Sequence, residues 1–149
     1  MKFEDVIIRP FEASDTVNLS NIWLEASLLA HPFIGERRLM EQKALIEEQY
    51  LPGAQTWVAT LNGQAAGFIS LLDTFIGGLF VSPCHQGLGI GRKLVSHALN
   101  LKGELSLEAY TENVQAMGFY RSLGFQELSR RAIDDEGYPF ENARLRLVG

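Results

Sequence analysis

Cysteine is almost missing from this chain. Cys84 is the single one among 149 residues, so no internal disulfide can form and a disulfide scaffold is excluded. No Cys/His cluster has zinc-ligand spacing, so no metal site is expected. Positive charge is in deficit as well. Thirteen Lys and Arg against eighteen Asp and Glu give a formal net charge of −5. That balance lacks the basic footprint of a nucleic-acid-binding protein and suits a cationic ligand. Long apolar runs are also missing: no stretch approaches the roughly 20 residues that span a bilayer. Glu4 and Asp5 precede only three apolar residues before Arg9, unlike the apolar core of a signal peptide. A cytoplasmic protein without membrane contact is the expectation. No linker-like Pro, Gly or Ser run and no internal repeat divides residues 1–149, which read as a single domain with one core and one site.

What is present is an ordinary globular composition. Hydrophobic residues make up 46% and charged residues 21%, which argues against intrinsic disorder. Val6-Ile7-Ile8 reads as a first strand stopped at Arg9-Pro10, and Ser14 or Asp15 can cap the helix that follows. Leu19, Ile22, Trp23, Ala26 and Leu29 recur at three and four residues, the stripe of a helix that Pro32 helps to end. Glu36 to Tyr50 is rich in helix formers and stops at Pro52-Gly53. Thr56 to Leu61 and Ala65 to Leu72 flank Asn62-Gly63, the preferred dipeptide of a type I′ hairpin. Phe75 to Val81 is a further strand, with Gly77-Gly78 marking a bulge or a close backbone approach. Ile90, Leu94, Val95, Ala98 and Leu101 define another helix, and Glu104 to Tyr110 another strand. Asn113 caps a helix carrying Ala116, Phe119, Tyr120 and Leu123, and Gly124 sits where a left-handed stop belongs. Phe125 to Ile133 and Ala143 to Val148 are the last strands. The order β-α-α-β-β-β-α-β-α-β-β implies an α/β (α+β) fold with a mixed sheet.

The stretch from Val81 to Leu94 carries the chemistry. It joins a strand to a helix N-terminus through Gln86-Gly87-Leu88-Gly89-Ile90-Gly91-Arg92. Glycines at alternate positions let the backbone approach a ligand, while unpaired N–H groups and the positive end of the helix dipole favour an anion. Arg92 and Lys93 work against that dipole unless an anion such as phosphate compensates them. A tight connection with two solvated basic residues is the bland alternative. A Walker A loop is excluded because Arg92-Lys93-Leu94 stands where Lys-Ser/Thr is required. A dinucleotide fingerprint fails at its sixth position, which is Arg92, although Glu108 lies near the expected acid and keeps an NAD-dependent reading open.

Gln86, Gly89 and Gly91 match the pattern Gln/Arg-x-x-Gly-x-Gly/Ala, and here the chain resembles the GNAT superfamily of N-acetyltransferases. A second signature is similar to the family's fourth-helix motif: Asn113-x-x-Ala116-x-x-Phe119-Tyr120-x-x-x-Gly124-Phe125. His31-Pro32-Phe33-Ile34, Trp57-Val58, Gly67-Phe68-Ile69-Ser70 and Leu107-Glu108-Ala109-Tyr110 look like the bacterial YiaC-type and YjaB-type acetyltransferases. The former are implicated in protein lysine acetylation. The resemblance implies a GNAT fold with a mostly antiparallel sheet of about seven strands and four helices. It also implies acetyl-CoA as cosubstrate, a primary amine as acceptor, and protein lysine ahead of small amines.

By position, the resemblance puts the acetyl-CoA pyrophosphate on backbone N–H groups of Gln86, Gly87, Leu88, Gly89, Ile90, Gly91 and Arg92. Phe80 and Val81 would offer strand backbone to the pantetheine arm. Asn113 would lie near that arm, or serve only as an N-cap. Tyr120 matches the tyrosine that protonates the departing thiolate, and as a bare helix pattern is also compatible with a core position. The strand from Phe75 to Val81 carries no acid, although many relatives place one there. Glu108 is therefore the candidate general base, with a structural role as its alternative. His31, Phe33, Phe75 and Tyr138 are the candidate acceptor-side residues. Asp134-Asp135-Glu136 either draws in a cationic acceptor or forms a plain turn. Cys84 falls at a variable loop position and has no expected role. A non-catalytic acyl-CoA sensor is the competing reading, and neither monomer nor homodimer is favoured.

Overall fold

The computed structural model describes residues 6–30, 32–134 and 137–149. Strand β1 (Val6–Pro10) leads into a 3-10 turn at Ala13–Asp15 and then helix α1 (Thr16–Ala30). Arg9 forks onto the Asp15 carboxylate with two bonds of 2.8 Å, and the Glu12 N–H donates to the same group at 2.8 Å. Asp15 therefore orders the entry to α1 from inside the turn, with Glu12 at the cap position where Ser14 or Asp15 was expected. Helix α2 (Glu36–Leu45) changes pitch to a π-helical stretch at Ile46–Tyr50 and ends in a turn at Leu51–Gly53.

Strands β2 (Gln55–Leu61) and β3 (Gln64–Leu72) form the expected hairpin. Asn62 and Gly63 have φ of 54° and 81°, the two positive values a type I′ turn requires. Strand β4 (Phe75–Val81) follows, then α3 (Ile90–Lys102), β5 (Glu104–Tyr110), α4 (Val114–Ser122), β6 (Gln126–Arg131) and β7 (Asn142–Val148). Gly124 has φ of 101° and stops α4 as its sequence position suggests. The β6 strand is shorter than expected because Phe125 turns into the core and Ala132 and Ile133 bend away toward Asp134.

The seven strands make one mixed sheet in the order β1-β2-β3-β4-β5-β7-β6. Every pairing is antiparallel except β4 with β5, which α3 connects as a crossover. Helices α1 and α2 cover one face, burying Leu19, Trp23, Leu39 and Leu51 against Val58 and Phe68. Helices α3 and α4 cover the other, where Ile90, Leu94, Val95 and Met117 meet Ile69, Leu71, Leu105, Leu107 and Leu145. Each fully buried Leu or Ile contributes about 1.5–3 kcal/mol, so two apolar faces hold the sheet rigid between the helix pairs. Strand β6 is exposed along its length. Ion pairs of Arg130 with Glu127 and Glu141, at 3.0 and 3.1 Å, place charge along this edge and disfavour further strand addition.

Candidate active site

The parallel pairing of β4 with β5 stops almost as soon as it starts. Phe75 is opposite Ser106 and Ile76 opposite Leu107, and the register goes no further. Beyond those pairs the strands part, and a cavity of about 620 Å³ opens between them. Gly77 begins the opening on the β4 side. Ser70 pairs with Gly78 and Leu71 with Ile76, so Gly77 is the extra residue of a β-bulge, a device that bends a strand and ends its pairing. Phe80 turns its ring away into the α1-side core, 5.5 Å from Phe68 and 6.4 Å from Trp23. What β4 presents to the cavity is therefore mainly backbone.

One end of the cavity is the glycine turn. His85, Gln86, Gly87, Gly89, Ile90, Gly91 and Arg92 all line it. Gly87 and Gly89 have φ of 82° and 80°, a region that other residues enter only at a cost. Gly89 is the N-cap of α3 and supplies no side chain to its first turn. The amides at the start of that helix thus have no acceptor within it, an arrangement suited to holding an anion. Gly91 keeps the wall thin: a Cβ there would lie 3.2 Å from the Phe119 ring and 3.7 Å from Val81. This cradle fits a pyrophosphate by its donors, its glycine spacing and its adjoining Arg92.

The other walls bring side-chain chemistry. Glu108 stands on β5 at the opening, with its carboxylate accepting from the Arg131 guanidinium at 2.7 Å. Asn113 lines the cavity and also caps α4, its Oδ1 accepting from the Ala116 N–H at 3.1 Å. Tyr120 reaches the cavity from α4 between Phe119 and Phe125, each 5.4 Å away centre to centre. Desolvation among these rings pushes the Tyr120 phenol up to about 12, because burial disfavours the phenolate. The phenol is thereby kept as a proton carrier throughout the neutral range.

Residues 52–127 match the acetyltransferase (GNAT) domain family. The chain is 34% identical to the peptidyl-lysine N-acetyltransferase YjaB of Escherichia coli strain K12, over 97% of this chain and 98% of that protein. The chain belongs to the GNAT acetyltransferase family. Its fold agrees with the solution structure of apo-form YjaB from Escherichia coli at a TM-score of 0.87, covering 97% of this chain and 98% of that one. The peptidyl-lysine N-acetyltransferase YiaC of the same strain is 32% identical over 80% of this chain and 82% of its own length. A structure of yncA from Salmonella typhimurium with its cofactor acetyl-CoA shares the fold at a TM-score of 0.70, with 22% identity over 96% of this chain and 93% of that one. This GNAT protein is an acetyl-CoA-dependent N-acetyltransferase, and the NAD-dependent and non-catalytic readings fall away.

Eleven of the residues singled out in the sequence line the GNAT cleft: Phe80, Val81, Gln86, Gly87, Gly89, Ile90, Gly91, Arg92, Glu108, Asn113 and Tyr120. Leu88 belongs to the same loop but packs its side chain against the α3–α4 core. Phe75 lies at the closed end, where β4 and β5 still pair, and is not part of the cavity wall. Phe33 stands behind the wall, 5.4 Å from the ring of Tyr110, which does line the cavity. Tyr138 is also outside it, with the Arg38 guanidinium 3.7 Å from its ring. His31, Asp135 and Glu136 lie outside the described residues. Asp134 is buried and already engaged, accepting from Arg38 at 3.1 Å, the Tyr110 hydroxyl at 3.1 Å and the Tyr138 N–H at 3.0 Å.

Ala26 and Leu29 of α1, Leu79, His85 and Tyr110 also line the cleft, beyond the residues expected from the sequence. Tyr110 ends β5, two residues after Glu108 on the same strand. Ala26 and Leu29 were read only as core, since a helical stripe does not reveal which of its last members reach past the sheet.

Proposed function

We propose that the protein transfers the acetyl group of acetyl-CoA directly to the Nε of a lysine in a cytoplasmic protein substrate. The carrying observation is one cleft that joins an anion cradle at Gln86–Arg92 to a carboxylate, Glu108, and a protonated phenol, Tyr120. The names of the two Escherichia coli relatives support lysine as the acceptor.

In this reading, the loop amides hold the pyrophosphate, and the unpaired backbone edge of β4 at Phe80 and Val81 receives the pantetheine arm. A free lysine of pKa about 10.4 is neutral to only ~10^-3.4 at pH 7, so releasing its proton costs about 4–5 kcal/mol. Glu108, tethered by Arg131, takes that proton through water. The nitrogen attacks the acetyl carbonyl carbon, the C–N bond forms, and the C–S bond breaks. Tyr120 gives its proton to the departing thiolate. The desolvation that raises the phenol also raises the proton affinity of a thiolate beside it, so donor and acceptor shift together.

Incubation with acetyl-CoA and a panel of lysine peptides, polyamines and aminoglycosides tests the acceptor. Thiol release with the peptides, and acetyl-lysine in their fragmentation spectra, is the expected result. Turnover confined to the small amines would replace the lysine reading by a small-molecule one.

A further inference from the structure

Strands β5 and β7 each bury one side and expose the other. Leu105, Leu107, Ala109, Ala143, Leu145 and Leu147 face the α3–α4 core. Alternation then puts Glu104, Glu108, Arg144 and Arg146 on the opposite face. Helices α1 and α2 leave that part of the sheet uncovered: among the described residues, the core beneath them takes strand residues from β2, β3 and β4 only. The β5-β7-β6 half of the face is open beside the cleft, with Arg131, Arg144 and Arg146 all exposed.

Two of these three arginines are occupied. Arg131 holds Glu108 at 2.7 Å and Arg146 holds Glu104 at 3.2 Å. Arg144 stands two residues from Arg146 along β7 and two from Asn142, the residue opposite Arg131. It is also the direct cross-strand partner of Glu108, which puts their Cβ atoms about 4.5–5.5 Å apart on one face. Even so, Arg144 forms no ion pair or side-chain hydrogen bond among the described residues. Like charges this close repel, and a carboxylate from outside the chain would relieve that repulsion. The surplus cation thus adjoins Glu108, the carboxylate that lines the cleft.

We propose that Arg144 reads the acceptor's sequence by binding an Asp or Glu side chain within two residues of the acetylated lysine. The inference rests on the lysine-acetyltransferase reading above and narrows its substrates to lysines with an acidic neighbour. With the lysine Nε at Glu108, an extended peptide advances about 3.3 Å per residue. A side chain one or two residues away then comes within the span of Arg144. The planar guanidinium offers a carboxylate two parallel donors. No proton or covalent bond passes through Arg144; the contact docks the peptide and selects among lysines.

Peptides of one sequence test this, with Glu, Gln or Lys placed in turn at each position within two residues of a single acceptor lysine. The kcat/KM for acetyl transfer is measured for each. Wild type is expected to favour Glu over Gln by about fivefold at the best position, the scale of one exposed ion pair, with a smaller margin at high salt. The preference is a ratio within one protein, so a general loss of activity or stability in a variant cancels. Arg144→Gln is expected to abolish it, Arg144→Lys to keep most of it, and Arg144→Glu to turn it toward the Lys peptide. Arg146→Gln removes a cation already held by Glu104 and is expected to keep the preference. A preference that survives Arg144→Gln, an equal loss in Arg146→Gln, or no preference for Glu in wild type would overturn the inference and leave lysine transfer standing. If wild type acetylates none of the peptides, the lysine reading fails and takes the inference with it.

Discussion

Glu108 and Arg131 meet at 2.7 Å across an intervening strand, Glu108 on β5 and Arg131 at the end of β6, with β7 between them. The guanidinium also donates to the Asn142 side chain at 3.3 Å. The carboxylate at the cleft opening is thus held by a tether that crosses two strand spacings. If Glu108 receives the acceptor's proton, Glu108→Gln should lower kcat by about 10²-fold, the low end for a positioned base, and leave the KM for acetyl-CoA unchanged. Steady-state kinetics decide this, and wild-type turnover in the variant would reduce Glu108 to a structural role.

Tyr120→Phe should lower kcat with little change in acetyl-CoA affinity, because the ring contacts with Phe119 and Phe125 survive. Equal turnover in the two proteins would remove the general-acid role. The same residue gives a pH signature. Folding raises its phenol to about 12 against about 10 in an unfolded chain. The folded state therefore holds a proton that the unfolded state releases, and stability falls as pH rises through that window. Urea unfolding of Tyr120→Phe should lose less stability than wild type between about pH 10 and 12.

Gly89→Ala places a Cβ on a residue at φ of 80°, which costs about 1–2 kcal/mol in the left-handed region. The loop relieves that strain by turning its amides off the anion. Acetyl-CoA affinity should drop by about 5- to 30-fold, as read by calorimetry, while Cys84→Ser, at an exposed position outside the cavity wall, should leave it unchanged.

Arg38 and Asp134 are both buried and meet at 3.1 Å, tying α2 to the segment between β6 and β7 beside Tyr110. Removing one partner strands the other charge, so Arg38→Met should destabilise by about 3–5 kcal/mol. The double variant Arg38→Met/Asp134→Leu should lose much less than the sum of the singles. Additive losses in urea unfolding would show that the pair is not coupled.

The fold was legible where local chemistry and tertiary context agree. Asn62-Gly63, Gly77-Gly78 and Gly124 each announce a backbone conformation, and the structure uses each one as a turn, a bulge and a helix stop. The glycine turn from Gln86 to Arg92 was equally open to reading as a strand-to-helix connection, and the structure gives Gly87 and Gly89 the positive φ that such a turn uses. Features assembled from distant pieces of the chain were not legible. Nothing local to Tyr50 signals a π-turn, and nothing near Asp134 indicates a partner 96 residues away at Arg38. Phe75 was legible as part of β4, but its place at the closed end depends on where β4 and β5 cease to pair.

Transfer to lysine is the central claim, and one measurement meets it most directly: mass-spectrometric mapping of acetylation on lysine peptides incubated with acetyl-CoA and wild type or Tyr120→Phe. The expected result is acetyl-CoA-dependent modification at Nε with wild type, strongly reduced in the variant. Tight binding of acetyl-CoA with no peptide acetylated above the enzyme-free control would contradict it.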